Sequence, residues 1–148
     1  MKVKRAQLNA NQKRFVIIAS RWNEFVVKQL VEGALDELAR YGDAEIEVTW
    51  VPGTWEVPLA CKLALASQPN GVIALGCILQ GATTHAQLLS SDVSSALMKL
   101  QMESEIPIAW GILTPETEVQ AIERAGMKLG NKGREAALAA LEMACLKG

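Results

Sequence analysis

The chain has 148 residues, of which 50% are hydrophobic and 21% charged, a composition typical of one folded globular domain. The 15 basic and 16 acidic residues give a formal net charge of -1, which argues against nucleic acid or an anionic membrane surface as the main partner. The three cysteines are widely spaced and no apolar run approaches the roughly 20 residues of a membrane span, so we expect no disulfide, no structural zinc and a cytoplasmic protein.

Short apolar runs alternate with helical patterns along the chain. Continuous apolar runs predict buried strands over residues 15–19 and 72–79, an alternating pattern predicts a strand over 46–51, and residues 106–113 predict a fourth strand. Helices are predicted from an Asn23 cap to Gly42, over 57–67, from His85 onwards, from Thr114-Pro115-Glu116 to about Gly126, and over 135–146 after a loop at 130–133. This order predicts one domain over 1–148, with 1–14 as an N-terminal arm. Its fold is a three-layer α/β/α sandwich around a mainly four-stranded parallel sheet.

The carboxyl ends of the predicted strands are the expected ligand site, because parallel α/β sheets bind ligands at that edge. His85, the one histidine, follows the third strand and is suited to proton transfer near its reference pKa of about 6.5. A capping or surface histidine is an equally good interpretation. Residues 81–84 before it, Gly-Ala-Thr-Thr, predict either an anion cradle or an ordinary strand-to-helix turn.

Several charged and aromatic residues fall near the same edge. Arg124 and Lys132 are either phosphate contacts or solvated charges, and Glu56 lies in an apolar region where a carboxylate needs partners. Tryptophans at strand ends stack on flat heterocycles in some proteins and form core in more of them. Those at or beside the predicted strand ends are Trp22, Trp55 and Trp110.

Several known sequence signatures are absent. The chain has no Walker A loop, no G-x-G-x-x-G, no H-E-x-x-H and no Ser–His–Asp order. The residues alone therefore indicate a parallel α/β domain with one candidate proton shuttle, one candidate anion site and aromatic edges that suit a planar ligand.

An ordered set of motifs resembles the 6,7-dimethyl-8-ribityllumazine synthase family from about Phe15 to Met143. The motifs are Ser20-Arg21-Trp22-Asn23, Val51-Pro52-Gly53-Thr54-Trp55-Glu56-Val57-Pro58, Ala74-Leu75-Gly76, Gly81-Ala82-Thr83-Thr84-His85, Gly111-Ile112-Leu113-Thr114, Glu118 to Gly126, and Gly130-Asn131-Lys132-Gly133-Arg134-Glu135-Ala136-Ala137. The resemblance implies a flavodoxin-like fold. It also implies the condensation of 5-amino-6-(D-ribitylamino)uracil with 3,4-dihydroxy-2-butanone 4-phosphate, without cofactor or metal.

The resemblance also implies roles for individual residues. His85 would transfer protons, Arg124 would bind the phosphate, and Trp22 would stack on the pyrimidinedione ring. The other implied positions are Thr54, Trp55 and Glu56 for the ribityl chain and ring edge, Ile78 and Leu79 for the pocket wall, Gly81, Ala82 and Thr83 for the phosphate cradle, Trp110 as an interface aromatic, and Lys132 and Glu135 as polar neighbours.

The same resemblance implies an assembly of identical chains. The pocket would lie between neighbouring subunits of a pentamer, with Trp110, Arg124 and Lys132 contributed by the second subunit. The short connection over 126–133 resembles that of members that form a 60-chain icosahedral shell, for which riboflavin synthase is a candidate partner.

Two segments depart from the family pattern. Ala86-Gln87-Leu88 replaces the usual aromatic and acidic residues after His85, and Gln80 replaces the usual arginine before Gly81. Two alternatives therefore stand beside an active enzyme: a catalytically weak relative that binds ribityl ligands or forms shells, and an unrelated flavodoxin-like binding module.

Overall fold

A computed structural model describes residues 1–80, 85–126 and 130–148. The strands are β1 (Arg14–Ser20), β2 (Glu45–Val51), β3 (Gly71–Cys77) and β4 (Ile108–Leu113). They form one parallel sheet in the order β2-β1-β3-β4, which confirms the predicted sheet. The register pairs Ser20 with Val51 and Cys77 with Leu113, so the carboxyl ends of the strands meet at one edge.

Helices cover both faces of this sheet. They are α1 (Glu24–Ala39), α2 (Val57–Leu65), α3 (Ala86–Ser104), α4 (Glu118–Arg124) and α5 (Lys132–Lys147), with a short 3₁₀ turn at Thr54–Glu56. Alternate residues of β1 point to opposite faces. Phe15 and Ile17 belong to the core under α1 and α5, whereas Val16 and Ile18 belong to the core under α2 and α3. The three-layer α/β/α architecture is thereby confirmed.

The fourth helix begins later than predicted. Thr114-Pro115-Glu116 was expected to start it, but α4 begins at Glu118, and the Thr117 hydroxyl accepts a hydrogen bond from the Gln120 backbone N–H at 3.2 Å. Residues 114 and 115 are instead hydrogen-bonded to Gln80. The Gln80 side chain donates to the Thr114 carbonyl, and the Gln80 backbone N–H donates to the Pro115 carbonyl. The predicted helix start is therefore wrong by about one turn.

The last helix begins earlier than predicted, so the expected loop at 130–133 is wrong over its second half. Asn131 caps α5 by accepting from the Arg134 backbone N–H at 3.0 Å. Gly133 lies in the first turn, where α5 crosses α1, and a side-chain carbon there would collide with the Leu30 carbonyl. Glycine at this position indicates close helix packing rather than the end of a loop.

The chain before β1 has no helix or strand over residues 1–13. Ala10 is fully buried, and its N–H donates to the Tyr41 carbonyl at 2.9 Å, which attaches the end of this segment to the domain. Within the described residues, no helix has the length and apolar character needed to span a bilayer.

Candidate active site at the carboxyl edge of the sheet

A cleft of about 720 Å³ opens beyond the ends of β1, β2 and β3. Its lining contains six of the residues singled out from the sequence, namely Trp22, Thr54, Trp55, Glu56, Ile78 and Leu79. Asn23, Gly53, Cys77 and Leu89 complete the wall, and we call this site the apolar cleft. The sequence therefore identified more than half of the side chains that the fold gathers here.

Trp22 is held by its backbone and leaves its ring available. The Arg21 N–H donates to the Val51 carbonyl at 2.7 Å, and the Trp22 N–H donates to the Pro52 carbonyl at 3.1 Å. The indole packs against Gly53, where a side-chain carbon would lie 3.3 Å from the ring. With 72% of Trp22 exposed, the structure supplies a flat aromatic surface that a planar ligand can stack on.

Asn23 joins two strand ends instead of capping α1 through its side chain. It occupies the N-cap position with φ 63° and ψ 41°, a left-handed conformation that asparagine tolerates well, and makes no side-chain cap bond. Its Nδ2 donates to the Cys77 carbonyl at 3.0 Å. The predicted N-cap position of Asn23 is thus correct, but its side chain does not make the expected cap bond. Instead, the Asn23 amide attaches the turn after β1, which carries Trp22, to the end of β3.

The 3₁₀ turn after β2 places three neighbouring side chains differently. Thr54 is buried, Trp55 is 67% exposed and Glu56 is half-buried.

Burial raises the pKa of the Cys77 thiol in the wall of the apolar cleft to about 11, so this sulfur stays protonated at neutral pH and is no nucleophile. The cleft therefore offers stacking and hydrogen bonding rather than covalent attack.

A second cleft, of about 590 Å³, lies at the end of β4 and contains three other predicted residues: Trp110, Arg124 and Lys132. Gln80, Thr114, Glu116 and Glu123 also line this site, which we call the polar cleft. Arg124 is exposed at the last position of α4, and Lys132 is the first residue of α5. Two cations at neighbouring helix ends suit an anionic ligand.

Asn131 fixes the two helix ends relative to each other. Its Nδ2 donates to the Ala125 carbonyl at 3.3 Å and to the Gln29 carbonyl at 2.9 Å, while its Oδ1 accepts from the Arg134 N–H. Its side chain fits against α1 at Gly33, where any side-chain carbon would collide with the Asn131 amide. Sequence reasoning missed Asn131 as a site-building residue, although an Asn just before an Ala-rich helix is an N-cap signal.

Ion pairs between α1 and α5 support the same junction. Arg134 Nη1 lies 2.8 Å from Glu37 Oε2 and 2.7 Å from Asp36 Oδ2, and Glu37 is buried. The hydrogen bond from Arg134, with a smaller contribution from Arg40, lowers the pKa of Asp36. The start of α5, which presents Lys132, is therefore held by charge as well as by Asn131.

Two further predicted residues, His85 and Glu135, are described but line neither cleft. His85 is exposed at the N-cap position of α3, and its carbonyl accepts from the N–H of Leu89, which lines the apolar cleft. Glu135 is exposed in the first turn of α5. The predicted phosphate cradle, Gly81, Ala82 and Thr83, lies outside the described residues. Among the residues described, no group of three or more His, Cys, Asp or Glu side chains is arranged to hold a metal ion.

This parallel sheet carries two clefts at one edge, the apolar cleft with its exposed tryptophans and the polar cleft with Arg124 and Lys132 beside two glutamates. The arrangement is that of a flavodoxin-like α/β protein with room for a planar ligand and for an anionic one. A sequence model described as 6,7-dimethyl-8-ribityllumazine synthase matches residues 12–148. Two proteins from strains of Clostridium kluyveri, both named 6,7-dimethyl-8-ribityllumazine synthase, are 46% identical over 149 residues, which cover 99% of this chain and 97% of theirs.

The chain belongs to the 6,7-dimethyl-8-ribityllumazine synthase family. It is a transferase of riboflavin biosynthesis. Its reaction condenses 5-amino-6-(D-ribitylamino)uracil with 3,4-dihydroxy-2-butanone 4-phosphate and releases phosphate and water. The resemblance found in the sequence is thereby confirmed.

Proposed function

We propose that this condensation takes place in a pocket made by the apolar cleft of one copy of the chain and the polar cleft of a second copy. The proposal rests on one observation: nine of the residues implied for the site divide between two clefts of one chain, six in one and three in the other, and the clefts share no lining residue. The uracil-binding set lies in the apolar cleft, and the phosphate-binding cations lie in the polar cleft. Two copies bring both sets to one pair of substrates.

The apolar cleft is proposed to bind the ribitylamino-uracil. The exposed indole of Trp22 stacks on the ring, and Ile78 and Leu79 form the wall beside it. Thr54 and Glu56, with the backbone around Trp55, bond the hydroxyls of the ribityl chain and the polar ring edge. This assignment is supported by one tryptophan face, one apolar wall and a cluster of polar groups within a single cleft.

The polar cleft of the second copy is proposed to bind the butanone phosphate. Arg124 is suited to the phosphate because its guanidinium stays charged and bonds two oxygens at once. Lys132 adds a second positive charge, Trp110 closes the pocket, and Glu135 is a polar neighbour. From the first copy, Gly81, Ala82 and Thr83 are proposed as backbone donors to the same phosphate.

His85 is proposed as the proton-transfer residue. The substrate amine itself forms the C–N bond to the ketone carbon, so no protein nucleophile is required. What the protein supplies is alignment of the two substrates, protons for the departing water, and stabilisation of the departing phosphate. An exposed imidazole at the start of α3, one turn before Leu89 in the apolar cleft, is suited to that role.

The proposed assembly is a homopentamer, with a 60-chain icosahedral shell as its larger form and riboflavin synthase as a candidate partner. Large apolar side chains exposed on the single chain support an oligomer. They include Phe25 at 73%, Leu63 at 67% and Met102 at 70%. The proposed location is the cytoplasm, since the buried cysteines Cys61 and Cys77 are free thiols, as is usual in a reducing compartment.

A mixing experiment tests the shared pocket. His85→Ala and Arg124→Ala chains are co-expressed, and product formation is followed by lumazine absorbance. Because the two residues act from different copies, about a quarter of the sites in randomly mixed oligomers regain both intact groups. We expect activity in the mixture that far exceeds either variant expressed alone.

The controls are each variant by itself and mass spectrometry to prove that both chains share particles. Mixed particles without recovered activity would show that the two residues act from one chain. A wild-type protein that binds the ribitylamino-uracil with no turnover above background would instead favour the catalytically weak ligand-binding relative.

A further inference from the structure

Ser20, the last residue of β1, is fully buried beneath the apolar cleft. Among the buried side-chain nitrogen and oxygen atoms of the described residues, Ser20 Oγ is the one that has no hydrogen-bond partner. Buried hydroxyls are nearly always bonded, because an unpaired one destabilises the folded state. An unpaired hydroxyl behind a binding cleft is therefore a candidate for a hydrogen bond that forms when ligand binds.

Thr54 is the neighbour that connects this hydroxyl to the cleft. A side-chain carbon on Gly76 would lie 2.9 Å from Ser20 Oγ and 3.2 Å from Thr54 Oγ1, so both oxygens border the same side-chain-free position of β3. Thr54 lines the apolar cleft, whereas Ser20 lies behind its wall. A ligand in the cleft thus meets the threonine hydroxyl first and the serine hydroxyl only through it.

We propose that Ser20 is a positioning residue for the polyol chain of the substrate and acts through Thr54. A threonine hydroxyl has one proton to donate and two lone pairs that accept. When a ligand hydroxyl accepts from Thr54 and holds it in a rotamer whose lone pair faces Ser20, Ser20 Oγ donates to Thr54 Oγ1, and the two bonds strengthen each other. The inference rests on the proposed function, since it requires the ribityl chain to lie on Thr54.

The structure gives a reason why this arrangement favours a hydroxylated ligand. Ser20 Oγ makes no hydrogen bond to Thr54 as the two side chains are positioned here, so a bond to a ligand-held Thr54 would be gained on binding and would add to affinity. A ligand with an alkyl chain leaves Thr54 without an acceptor to donate to and brings no such gain. Ser20 therefore contributes to discrimination between polyol and alkyl chains.

Ser20→Ala tests the proposal because it removes one oxygen and leaves the packing carbon in place. Titration followed by tryptophan fluorescence, with Trp22 and Trp55 in the cleft wall, gives the Kd for the ribitylamino-uracil. We expect a roughly tenfold weaker Kd, an unchanged KM for the butanone phosphate, and an unfolding midpoint equal to or above that of the wild type. A lower midpoint with an unchanged Kd would show a purely structural serine and overturn the proposal.

The ligand provides the second half of the test. The same aminouracil with an unhydroxylated pentyl chain is expected to bind equally well to the wild type and to Ser20→Ala. Ser20→Cys, which restores a weak donor of similar shape, is expected to recover part of the lost affinity, and Ser95→Ala on the exposed side of α3 serves as the matched control. An equal loss with both ligands would contradict a role toward the polyol.

The outcomes separate this inference from the proposed function. If the wild type turns over and Ser20→Ala keeps the wild-type Kd, the inference fails and the proposed function stands. If the wild type binds the ribitylamino-uracil no better than the pentyl analogue, the polyol site on Thr54 fails, and the inference fails with it.

Discussion

The two clefts lie at the same sheet edge but are built in different ways. The apolar cleft rests on strand ends, where backbone hydrogen bonds at Arg21 and Trp22 and the amide of Asn23 hold the turn after β1. The polar cleft rests on helix ends, and the side chain of Asn131 supplies three of the hydrogen bonds that fix them. We therefore expect the polar cleft to be the more sensitive of the two to a single side-chain change outside its own lining.

The largest expected effect belongs to His85. His85→Ala removes the proposed proton carrier and should lower kcat by about 10³-fold, as is usual for a general acid–base histidine. The proposed pentamer should persist, because His85 is an exposed residue at a helix start. Steady-state kinetics and sedimentation check both parts, and loss of the oligomer would mark His85 as structural.

Arg124→Ala should have the second largest effect and should affect the two substrates differently. Removing the guanidinium is expected to reduce kcat/KM for the butanone phosphate by about 10²-fold, because the proposed bidentate contact to the phosphate would be lost. The Kd for the ribitylamino-uracil should stay within about twofold of the wild type, since Arg124 does not line the apolar cleft. Arg124→Lys should recover only part of the rate. Equal damage to both substrates would contradict the division between clefts.

Asn131 offers the direct comparison with Asn23. Asn131→Ala loses a helix cap and two further hydrogen bonds, so we expect about 2 kcal/mol of lost stability and a roughly tenfold higher KM for the butanone phosphate. Asn131→Asp keeps the acceptor for the Arg134 N–H and loses both donors, so it should fall between the wild type and Asn131→Ala. Urea unfolding and initial rates measure the two effects.

Asn23 should give the opposite substrate pattern. Asn23→Gly keeps the left-handed backbone and loses the bond to the Cys77 carbonyl, so we expect a severalfold weaker Kd for the ribitylamino-uracil. The KM for the butanone phosphate should not change. If Asn23→Gly impaired only the phosphate substrate, the two asparagines would not serve separate clefts.

How far the sequence predicted this molecule depends on which kind of signal a residue carries. Continuous apolar runs such as Phe15 to Ala19 predicted the strands because a strand buried on both faces allows little else. Motif similarity assigned Trp22, Thr54 and Glu56 to one ligand, and the structure shows that they line one cleft. These features are local in sequence, and local pattern was enough for them.

The features that the sequence did not predict depend on contacts between distant segments. Thr114 was predicted to cap a helix, but in the structure its carbonyl accepts a hydrogen bond from the Gln80 side chain, 34 residues away. Gly133 was predicted to lie in a loop. Its close contact with Leu30 forms only when α5 packs on α1, so the sequence carries no local signal of it. The unpaired hydroxyl of Ser20 likewise exists only in the packed structure. Such features cannot be read from local spacing.

The smallest expected effect concerns the ion pairs behind the polar cleft. The pKa of Asp36 is lowered in the folded chain, first by its hydrogen bond with Arg134, so ionised Asp36 stabilises the folded state. That contribution is complete at pH values above the unfolded pKa of about 3.9 and is lost as pH falls through the lower folded pKa. Asp36→Asn should therefore lower the unfolding midpoint slightly at pH 7, and the difference from the wild type should narrow as the pH falls toward 2.

Salt provides the control for this last prediction, because Asp36 is exposed and its ion pairs are screened by solvent and added ions. At pH 7 the difference between Asp36→Asn and the wild type should shrink as sodium chloride is raised, whereas Asp92→Asn, an exposed change in α3, should show no such trend. A difference that persisted at pH 2 and in high salt would mean that Asp36 acts through packing or helix propensity. The junction of α1 and α5 would then depend on Asn131 and on the part-buried pair of Arg134 with Glu37.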